Sequence, residues 1–336
     1  MIHPGPRNLI TDIDGIRVGS ARDVLARTGV TVVLPDAPTV AAADVRGGAP
    51  GTREIDVLDP SCLVDHVDAV AMSGGSAFGL DAASGVMTWL AAQGRGFPTA
   101  NGARVPIVPA AIIYDLDMGG EDWGGVPPFR TLGVEACEAA APNFALGNQG
   151  AGLGASAGPL KGGLGSVSAV SDDGVEVGAL MVANSMGSVV MRDTPTFWAW
   201  AFEQDGELGG QQPPAAAPSD LDFGFMRGLA TQTTIGVVAT STALDVGQAK
   251  RVAMMAHDGF ARAIRPVHTP FDGDTIFVLS TGRRPLDDPA PAAIARIGMM
   301  AADCVARAIA RAVYEAETLG DMRSYRETYG VIAAGT

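Results

Sequence analysis

Short apolar runs bounded by Gly, Pro and Asp dominate the first half of the chain. Runs of this kind are typical of strands that are buried in a sheet. They occur at residues 29–34, 69–72, 110–114 and 177–183. Two helices are predicted between them, at residues 76–92 and 127–141. The first of these helices is rich in Ala and Gly, which allows it to pack closely on a sheet.

The C-terminal third alternates strands and helices. The pattern predicts a strand at residues 234–240, a helix at 246–264 and another strand at 274–280. A long helix follows, because apolar side chains recur at helical spacing from Ile294 to Ala312. The order β-α-β-α, with strands buried on at least one face, predicts a layered α/β fold whose central sheets are covered by helices.

One segment, residues 202–232, has no sustained period and reads FEQDGELGGQQPPAAAPSDLDFGFMRGLATQ. A structureless loop of that length is uncommon inside a domain. It indicates either a flexible interdomain linker or a functional loop.

Composition excludes several classes of protein. The 336 residues carry 23 basic and 37 acidic side chains, a net charge of −14, which argues against a surface that follows nucleic-acid phosphates. No apolar run is long enough to span a membrane and no secretory signal is visible, so we expect a cytoplasmic protein. Neither the histidines nor the cysteines have metal-ligand spacing, so we expect no metal and no cofactor. We expect Cys62, Cys137 and Cys304 to be structural thiols.

Two hydroxyl residues, Thr233 and Thr234, stand between the long segment and the strand that follows it. If the bond after Gln232 is cut, that strand begins with an α-amine, of pKa about 8, beside a hydroxyl group. The amine can accept the proton of the hydroxyl, so Thr233 becomes both nucleophile and base. In the uncut chain the nitrogen is an amide without basicity, and paired threonines also precede strands for reasons of β-propensity alone.

Three other segments carry polar side chains that suit such chemistry. Asp272 and Asp274 stand at the entry to the next strand, where they can orient an ammonium and a hydroxyl group; an ordinary Asp-Gly turn is the alternative. Asn184 ends a predicted strand and can donate to an oxyanion, or it is only a turn residue. Lys161 lies in a Gly-rich segment that lacks the Gly-Lys-Ser/Thr of a phosphate-binding loop, and an exposed surface lysine is its alternative.

The segment Gly74-Gly75-Ser76 precedes the first predicted helix. Phe78 stands where a nucleophile elbow requires glycine, so Ser76 is not interpreted as a nucleophile. We interpret Ser76 as the N-cap of the helix and Gly75 as a residue that lets the backbone approach a bound substrate. His268 precedes Asp272 closely, and it either contacts the same site or forms a structural hydrogen bond.

Several blocks together resemble the DmpA-type aminopeptidase/esterase family, and within it the nylon-oligomer (6-aminohexanoate oligomer) hydrolases. The resemblance covers nearly the whole chain. Its hallmarks are TDIDGIRVG at residues 11–19, DVRGG at 44–48, SGGSAFGL at 73–80, IIYD at 112–115, AN at 183–184 and DGDT at 272–275.

The resemblance implies a four-layer αββα sandwich of the N-terminal-nucleophile type. One hydrolase domain, residues 1–336, is then cleaved between Gln232 and Thr233 into an α-chain 1–232 and a β-chain 233–336. The catalytic residues that it implies are Thr233, Asp272, Asp274, Lys161, Asn184 and, in the oxyanion region, Tyr114. It implies no cofactor, a small or oligomeric amide as substrate, and a homo-oligomer, a tetramer of processed subunits.

Gln232 departs from the family pattern. Relatives usually have Gly or Asn before the nucleophile, and both tolerate strained backbone better than Gln. The first hypothesis is an autoprocessing hydrolase of 6-aminohexanoate oligomers or related linear amides. An aminopeptidase or D-amino-acid amidase-esterase acting on short peptides is the close alternative. A hypothesis of another class is an unprocessed, non-catalytic binding protein that uses the same pocket.

Overall fold

The computed structural model describes residues 1–214 and 232–330, and its strands and helices follow the predicted alternation closely. The strands are β1 (Ile2–His3), β2 (Ile16–Asp23), β3 (Thr28–Pro35), β4 (Thr39–Val45), β5 (Thr52–Arg53), β6 (His66–Val67), β7 (Val70–Ser73), β8 (Phe97–Pro98), β9 (Arg104–Val105), β10 (Ala110–Ile112), β11 (Ser156–Ala157), β12 (Leu160–Lys161), β13 (Gly163–Ser171), β14 (Glu176–Ala183), β15 (Ile235–Thr242) and β16 (Thr275–Arg284). The α-helices are α1 (Ala82–Ala92), α2 (Phe129–Glu138), α3 (Val246–Ala256), α4 (Asp258–Ala263), α5 (Ala290–Glu315) and α6 (Tyr325–Tyr329).

Twelve of these strands form two sheets. The larger sheet has seven strands in the order β1-β13-β14-β15-β16-β4-β6, and the smaller has five in the order β2-β3-β7-β10-β5. Strands β15 and β16 are parallel, whereas β14 is antiparallel to β15 and β4 is antiparallel to β16. The beginnings of β15 and β16 therefore lie at the same edge of the large sheet as the ends of β14 and β4.

Three apolar layers hold the sheets and helices together. One lies between the two sheets, where Val33 and Met72 of the small sheet meet Leu180 and Phe277 of the large one. A second joins the large sheet to α3, α4 and α5, and a third joins the small sheet to α1 and α2. Strands β3 and β15 are buried along their whole length, as expected for strands between two layers. The predicted four-layer αββα sandwich is confirmed.

Local differences from the predictions have identifiable causes. The helix predicted at 246–264 is two helices, α3 and α4, which meet at His257. The helix predicted at 76–92 begins with a 3-10 turn over Ser76–Asp81, and α1 starts only at Ala82. The interpretation of Ser76 as N-cap is wrong, because the capping position is Gly75, in a left-handed conformation, and no side chain caps this turn.

The segment without a period is partly ordered. The carboxylate of Glu203 accepts hydrogen bonds from the backbone N–H groups of Leu208, Gly210 and Gln211. Glu207 forms a buried ion pair with Arg307 of α5. Side-chain contacts of this kind leave no hydrophobic period, so the sequence pattern could not reveal this order. The rest of the predicted linker or functional loop, residues 215–231, lies outside the described residues.

The cysteines divide into two classes. Cys137 and Cys304 are buried, and burial raises the pKa of each thiol to about 12, as expected for inert structural residues. Cys62 is exposed, so the prediction of a packed thiol is wrong there. Within the described part of the chain, no helix is both long and apolar enough to cross a membrane.

Candidate functional site

Residues that are far apart in the sequence meet at one edge of the large sheet. In the ladder, Val182 at the end of β14 pairs with Ile235 at the start of β15, and Ile235 pairs in turn with Thr275 of β16. This register brings Thr233, just before β15, beside Asn184, just after β14. The strand directions alone therefore bring together three of the candidate segments.

Thr233 is buried, with 2% of its surface exposed, and its backbone N–H donates to the Asn184 carbonyl at 2.7 Å. The preceding carbonyl, that of Gln232, accepts a hydrogen bond from the Gly273 N–H at 3.0 Å. A Cβ atom on Gly273 would lie only 2.9 Å from Thr233 Oγ1, so the hydroxyl packs against this turn. The peptide bond before Thr233 thus has a fixed donor on its carbonyl oxygen and a hydroxyl on its other side.

The two aspartates of the turn have different partners. Asp274 Oδ1 accepts the Thr234 N–H at 2.9 Å, so this carboxylate holds the residue that follows the nucleophile candidate. Asp272 Oδ2 accepts both the N–H (2.8 Å) and the hydroxyl (2.6 Å) of Thr269. Burial, and then the negative charge of Asp274, raise the pKa of Asp272. Asp272 is held by its own turn, and Asp274 links that turn to β15.

The side chain of Asn184 is fully buried and its amide orientation is determined by two backbone partners. Asn184 Oδ1 accepts the Ser156 N–H at 2.9 Å, and Nδ2 donates to the Tyr114 carbonyl at 3.2 Å. A backbone N–H only donates and a carbonyl only accepts, so these contacts leave one assignment for the amide. The side-chain amide of Asn184 is thereby fixed between Ser156 and the Tyr114 carbonyl, while the backbone carbonyl of Asn184 accepts from Thr233.

Lys161 is completely buried, so its interpretation as an exposed surface residue is wrong. Its Nζ donates to the carbonyls of Gly152 (3.0 Å), Ala155 (2.8 Å) and Gly162 (2.8 Å). An ammonium group has three hydrogens, and these three bonds use all of them. Burial lowers the pKa of Lys161 to about 7.

One peptide connects Lys161 to Asn184. The Ala155–Ser156 peptide accepts from Lys161 Nζ through its carbonyl and donates to Asn184 Oδ1 through its N–H. A charged donor on the carbonyl polarises that peptide and strengthens the bond made by its N–H. Lys161 is therefore linked to Asn184 through the backbone, and a catalytic role for Lys161 stays a prediction.

Asp115 is a buried acid to which the sequence assigned no role. Its Oδ1 accepts the Gly75 N–H at 2.6 Å and its Oδ2 accepts the Thr28 hydroxyl at 2.8 Å. Burial raises the pKa of Asp115 to about 6, although these hydrogen bonds and the positive charge of Lys161 lower it. Its place in the IIYD block, directly after a buried strand, is the signal that marks it.

The space beside Gly75 is occupied by protein. A Cβ atom there would lie 1.9 Å from the Phe129 ring, and the Gly75 N–H is already bound to Asp115. Ser76 is only half-buried, and its N–H donates to the Ile113 carbonyl at 3.0 Å. Contact of Gly75 and Ser76 with substrate stays a prediction.

From the sequence, His268 either contacts the site or forms a structural hydrogen bond. Its Nδ1 lies 2.7 Å from Asp274 Oδ2. Its position six residues before Asp274 only weakly indicates this contact. The two side chains meet because the chain turns between them. Among the described residues, no group of three His, Cys, Asp or Glu side chains could hold a metal ion.

The chain is similar to known proteins over most of its length. The model of peptidase family S58 matches residues 8–326. An uncharacterized aminopeptidase of Mycobacterium tuberculosis (strain ATCC 25618 / H37Rv) is 45% identical over 96% of this chain and 98% of its own. The 6-aminohexanoate-oligomer endohydrolase of Kocuria sp. (strain KY2) is 30% identical over 82% of this chain and 76% of its own.

Solved structures share the fold at lower identity. The L-aminopeptidase D-Ala-esterase/amidase of Ochrobactrum anthropi, described as a variant of the Ntn hydrolase fold, matches with a TM-score of 0.69 at 23% identity, over 98% of this chain and 96% of that chain. A protein of Pyrococcus horikoshii OT3 matches with a TM-score of 0.73 at 24% identity, over 96% of this chain and 90% of that chain. The predicted resemblance to the DmpA-type family is confirmed. The chain belongs to peptidase family S58 and is a hydrolase that acts on amide bonds.

Proposed function

We propose that this protein cleaves its own Gln232–Thr233 bond and that Thr233 then hydrolyses amides as an N-terminal nucleophile. The observation that carries the proposal is the setting of this one peptide bond. Its carbonyl oxygen accepts from the Gly273 N–H, its nitrogen donates to Asn184, and the Thr233 hydroxyl packs against Gly273. A buried peptide with a fixed donor on its carbonyl and a hydroxyl beside it is prepared for acyl transfer.

The processing step is an N-to-O acyl shift followed by hydrolysis. Thr233 Oγ1 attacks the Gln232 carbonyl carbon while the Gly273 N–H stabilises the negative charge that develops on the carbonyl oxygen. The C–N bond breaks, the nitrogen takes up a proton, and an ester links Gln232 to the hydroxyl. Water then opens the ester, which leaves a carboxylate on Gln232 and a free amine on Thr233.

In the processed enzyme the same hydroxyl attacks the substrate amide. The α-amine of Thr233 accepts the hydroxyl proton and passes it to the leaving amine. Asn184 lies next to Thr233, and its Nδ2 is the candidate donor to the substrate oxyanion once it turns from the Tyr114 carbonyl. Asp274 holds β15 through Thr234, and Lys161 holds the Asn184 amide. Water then hydrolyses the acyl-enzyme.

For the substrate we propose short linear amides with a free amino end. The relative at 45% identity is named an aminopeptidase, which favours short peptides and aminoacyl amides. Oligomers of 6-aminohexanoate are the second candidate, supported by the endohydrolase relative at 30% identity and by the Thr-Thr and Asp-Gly-Asp sequences. We also propose, from the family resemblance alone, a homo-oligomer of processed subunits, and we keep the prediction that the protein acts in the cytoplasm.

Substitution of Thr233 tests the proposal. Intact mass and a denaturing gel should show fragments of 232 and 104 residues for the wild type and for Thr233→Ser, whose hydroxyl is retained, but a single chain for Thr233→Ala. The wild type and Thr233→Ser should also release p-nitroaniline from aminoacyl p-nitroanilides and amines from linear 6-aminohexanoate oligomers, whereas Thr233→Ala should not. If Thr233→Ala is cleaved and hydrolyses these amides like the wild type, Thr233 is not the nucleophile. An uncleaved, inactive wild type would instead support the non-catalytic binding protein.

A further inference from the structure

His268 begins the turn that carries both aspartates of the site. Its ring nitrogen Nδ1 lies 2.7 Å from Asp274 Oδ2, and its backbone N–H donates to the same oxygen at 3.3 Å. A carboxylate can only accept, so Nδ1 carries the hydrogen. The imidazole therefore donates to one oxygen of Asp274.

The other oxygen of Asp274 binds the residue that follows the proposed nucleophile. Asp274 Oδ1 accepts the Thr234 N–H at 2.9 Å, and Thr233 itself donates its N–H to Asn184. The backbone of Thr233 is thus fixed on one side by Asn184 and on the other by the Asp274 carboxylate. Rotation of that carboxylate would release the Thr233–Thr234 peptide, and the imidazole opposes the rotation.

The imidazole is held firmly by its neighbours. Its ring centroid lies 5.0 Å from that of His257, at 68°, and 5.4 Å from that of Phe260. His268 has a φ of +54°, a left-handed conformation that costs a non-glycine residue energy and persists only where the surroundings determine it. One fifth of the side chain remains exposed.

We propose that His268 is a positioning residue that holds the Asp274 carboxylate with its Oδ1 turned toward Thr234, and so holds Thr233 in its reacting position. This inference rests on the proposed function, because the role of Thr233 belongs to that proposal. It assigns His268 no contact with substrate. Its effect on the reaction passes through the carboxylate.

Other charged and titratable groups surround the pair, and they set the background for any pH dependence. These are Asp272 on the same turn, His257 between α3 and α4, and Asp44 and Arg46 at the end of β4. Burial lowers the pKa of His257 to about 4, so this second imidazole is neutral over the range in which the enzyme is assayed. Burial and the charge of Asp274 raise the pKa of Asp272.

The test compares His268→Ala with His268→Asn. Asparagine places an amide donor near the position of Nδ1 and tolerates a positive φ, but it does not titrate. His66→Ala is the matched control, because His66 also pairs with an aspartate, Asp65, but both of these side chains are exposed. The full chain is assayed from pH 5 to 9 with alanine p-nitroanilide, and kcat and KM are separated.

Loss of the imidazole donor leaves Asp274 Oδ2 without this partner, so the carboxylate can rotate away from Thr234. In His268→Ala we expect a kcat about tenfold lower and an unchanged KM. His268→Asn should restore most of the kcat, and His66→Ala should match the wild type. A loss of kcat in His268→Ala that His268→Asn does not restore, or a loss that lies in KM, would overturn the proposal.

A second measurement does not depend on turnover. In the Thr233→Ala background, hydrogen exchange of the Thr234 amide should be about tenfold faster when His268→Ala is added, and close to the background rate when His268→Asn is added. Equal exchange in all three proteins would overturn the proposal. If Thr233→Ala retains hydrolysis, the proposed function fails, and this exchange measurement still decides the role of His268.

Discussion

Gly273→Ala is a small change at the point where the turn meets the proposed nucleophile, Thr233. A Cβ atom on Gly273 would lie 2.4 Å from the Ala49 carbonyl oxygen, 2.9 Å from Pro50 Cα and 2.9 Å from Thr233 Oγ1. Gly273 is not among the residues with positive φ, so alanine meets no conformational barrier there. The expected effect is therefore purely one of space.

The size of the effect follows from these distances. Ordinary van der Waals contact begins at 3.4 Å, so the Ala49 carbonyl must move by about 1 Å and Thr233 Oγ1 by about 0.5 Å. A misplacement of about 1 Å at a reacting group can lower a rate by about 100-fold, so we expect processing and kcat to fall by about 10- to 100-fold. Overpacking should lower the free energy of unfolding by only about 1–3 kcal/mol, so the protein should still fold.

The assay compares this variant with Gly247→Ala in the first turn of α3. The nearest atom to a Cβ on Gly247 is Asp245 Oδ1 at 3.3 Å, so this control adds the same methyl group with little crowding. Processing is followed by denaturing gel after synthesis, kcat by p-nitroaniline release, and folding by thermal unfolding. This placement of the Thr233 hydroxyl would be refuted if Gly273→Ala matched Gly247→Ala in unfolding temperature, in processing and in kcat.

Two further predictions concern the buried charges. The pKa of Asp115 is raised to about 6 in the folded state, from 3.8 for an unperturbed aspartate, so its ionisation destabilises the fold above pH 6 and that penalty disappears as the pH falls toward 4. Asp115→Asn should remove this dependence, worth about 3 kcal/mol at most, in denaturant unfolding measured at pH 4, 5 and 7. Lys161 has its pKa lowered to about 7, so its contribution to stability rises as the pH increases from 7 toward 10. Lys161→Met should flatten that rise and lower kcat by about tenfold, because the Ala155–Ser156 peptide loses its charged donor; a variant with wild-type kcat would contradict the connection to Asn184.

The alternation of apolar runs was sufficient to predict the layers. Strands β3, β14 and β15 lie where continuous apolar runs occur, because strands between two layers bury both faces. The break between α3 and α4 was missed because apolar spacing continues past His257, while the chain turns there to pack its ring. The spacing of apolar residues shows which face of a helix is buried, but it does not reveal a local change in the direction of the chain.

The candidate residues followed from their chemistry and from family resemblance, but their contacts did not. Lys161 was open to interpretation as a surface residue because its partners are three backbone carbonyls, which leave no pattern in the sequence. The same holds for Gly75, which takes the capping position expected of Ser76 while its N–H binds Asp115. Backbone partners depend on how the loops close, and composition does not encode that.

The arrangement of the site makes both halves of the chain necessary for the proposed chemistry. Thr233, Asp272 and Asp274 lie after the proposed cleavage point, whereas Asn184 lies before it. Asn184 also reaches across the layers, because it follows β14 of the large sheet and its Nδ2 donates to Tyr114, just beyond β10 of the small sheet. A shift of one sheet on the other would therefore move the proposed oxyanion donor, Asn184, relative to the Thr233 hydroxyl. The apolar layer between the sheets, which resists such a shift, consequently fixes the geometry of the proposed site as well as that of the fold.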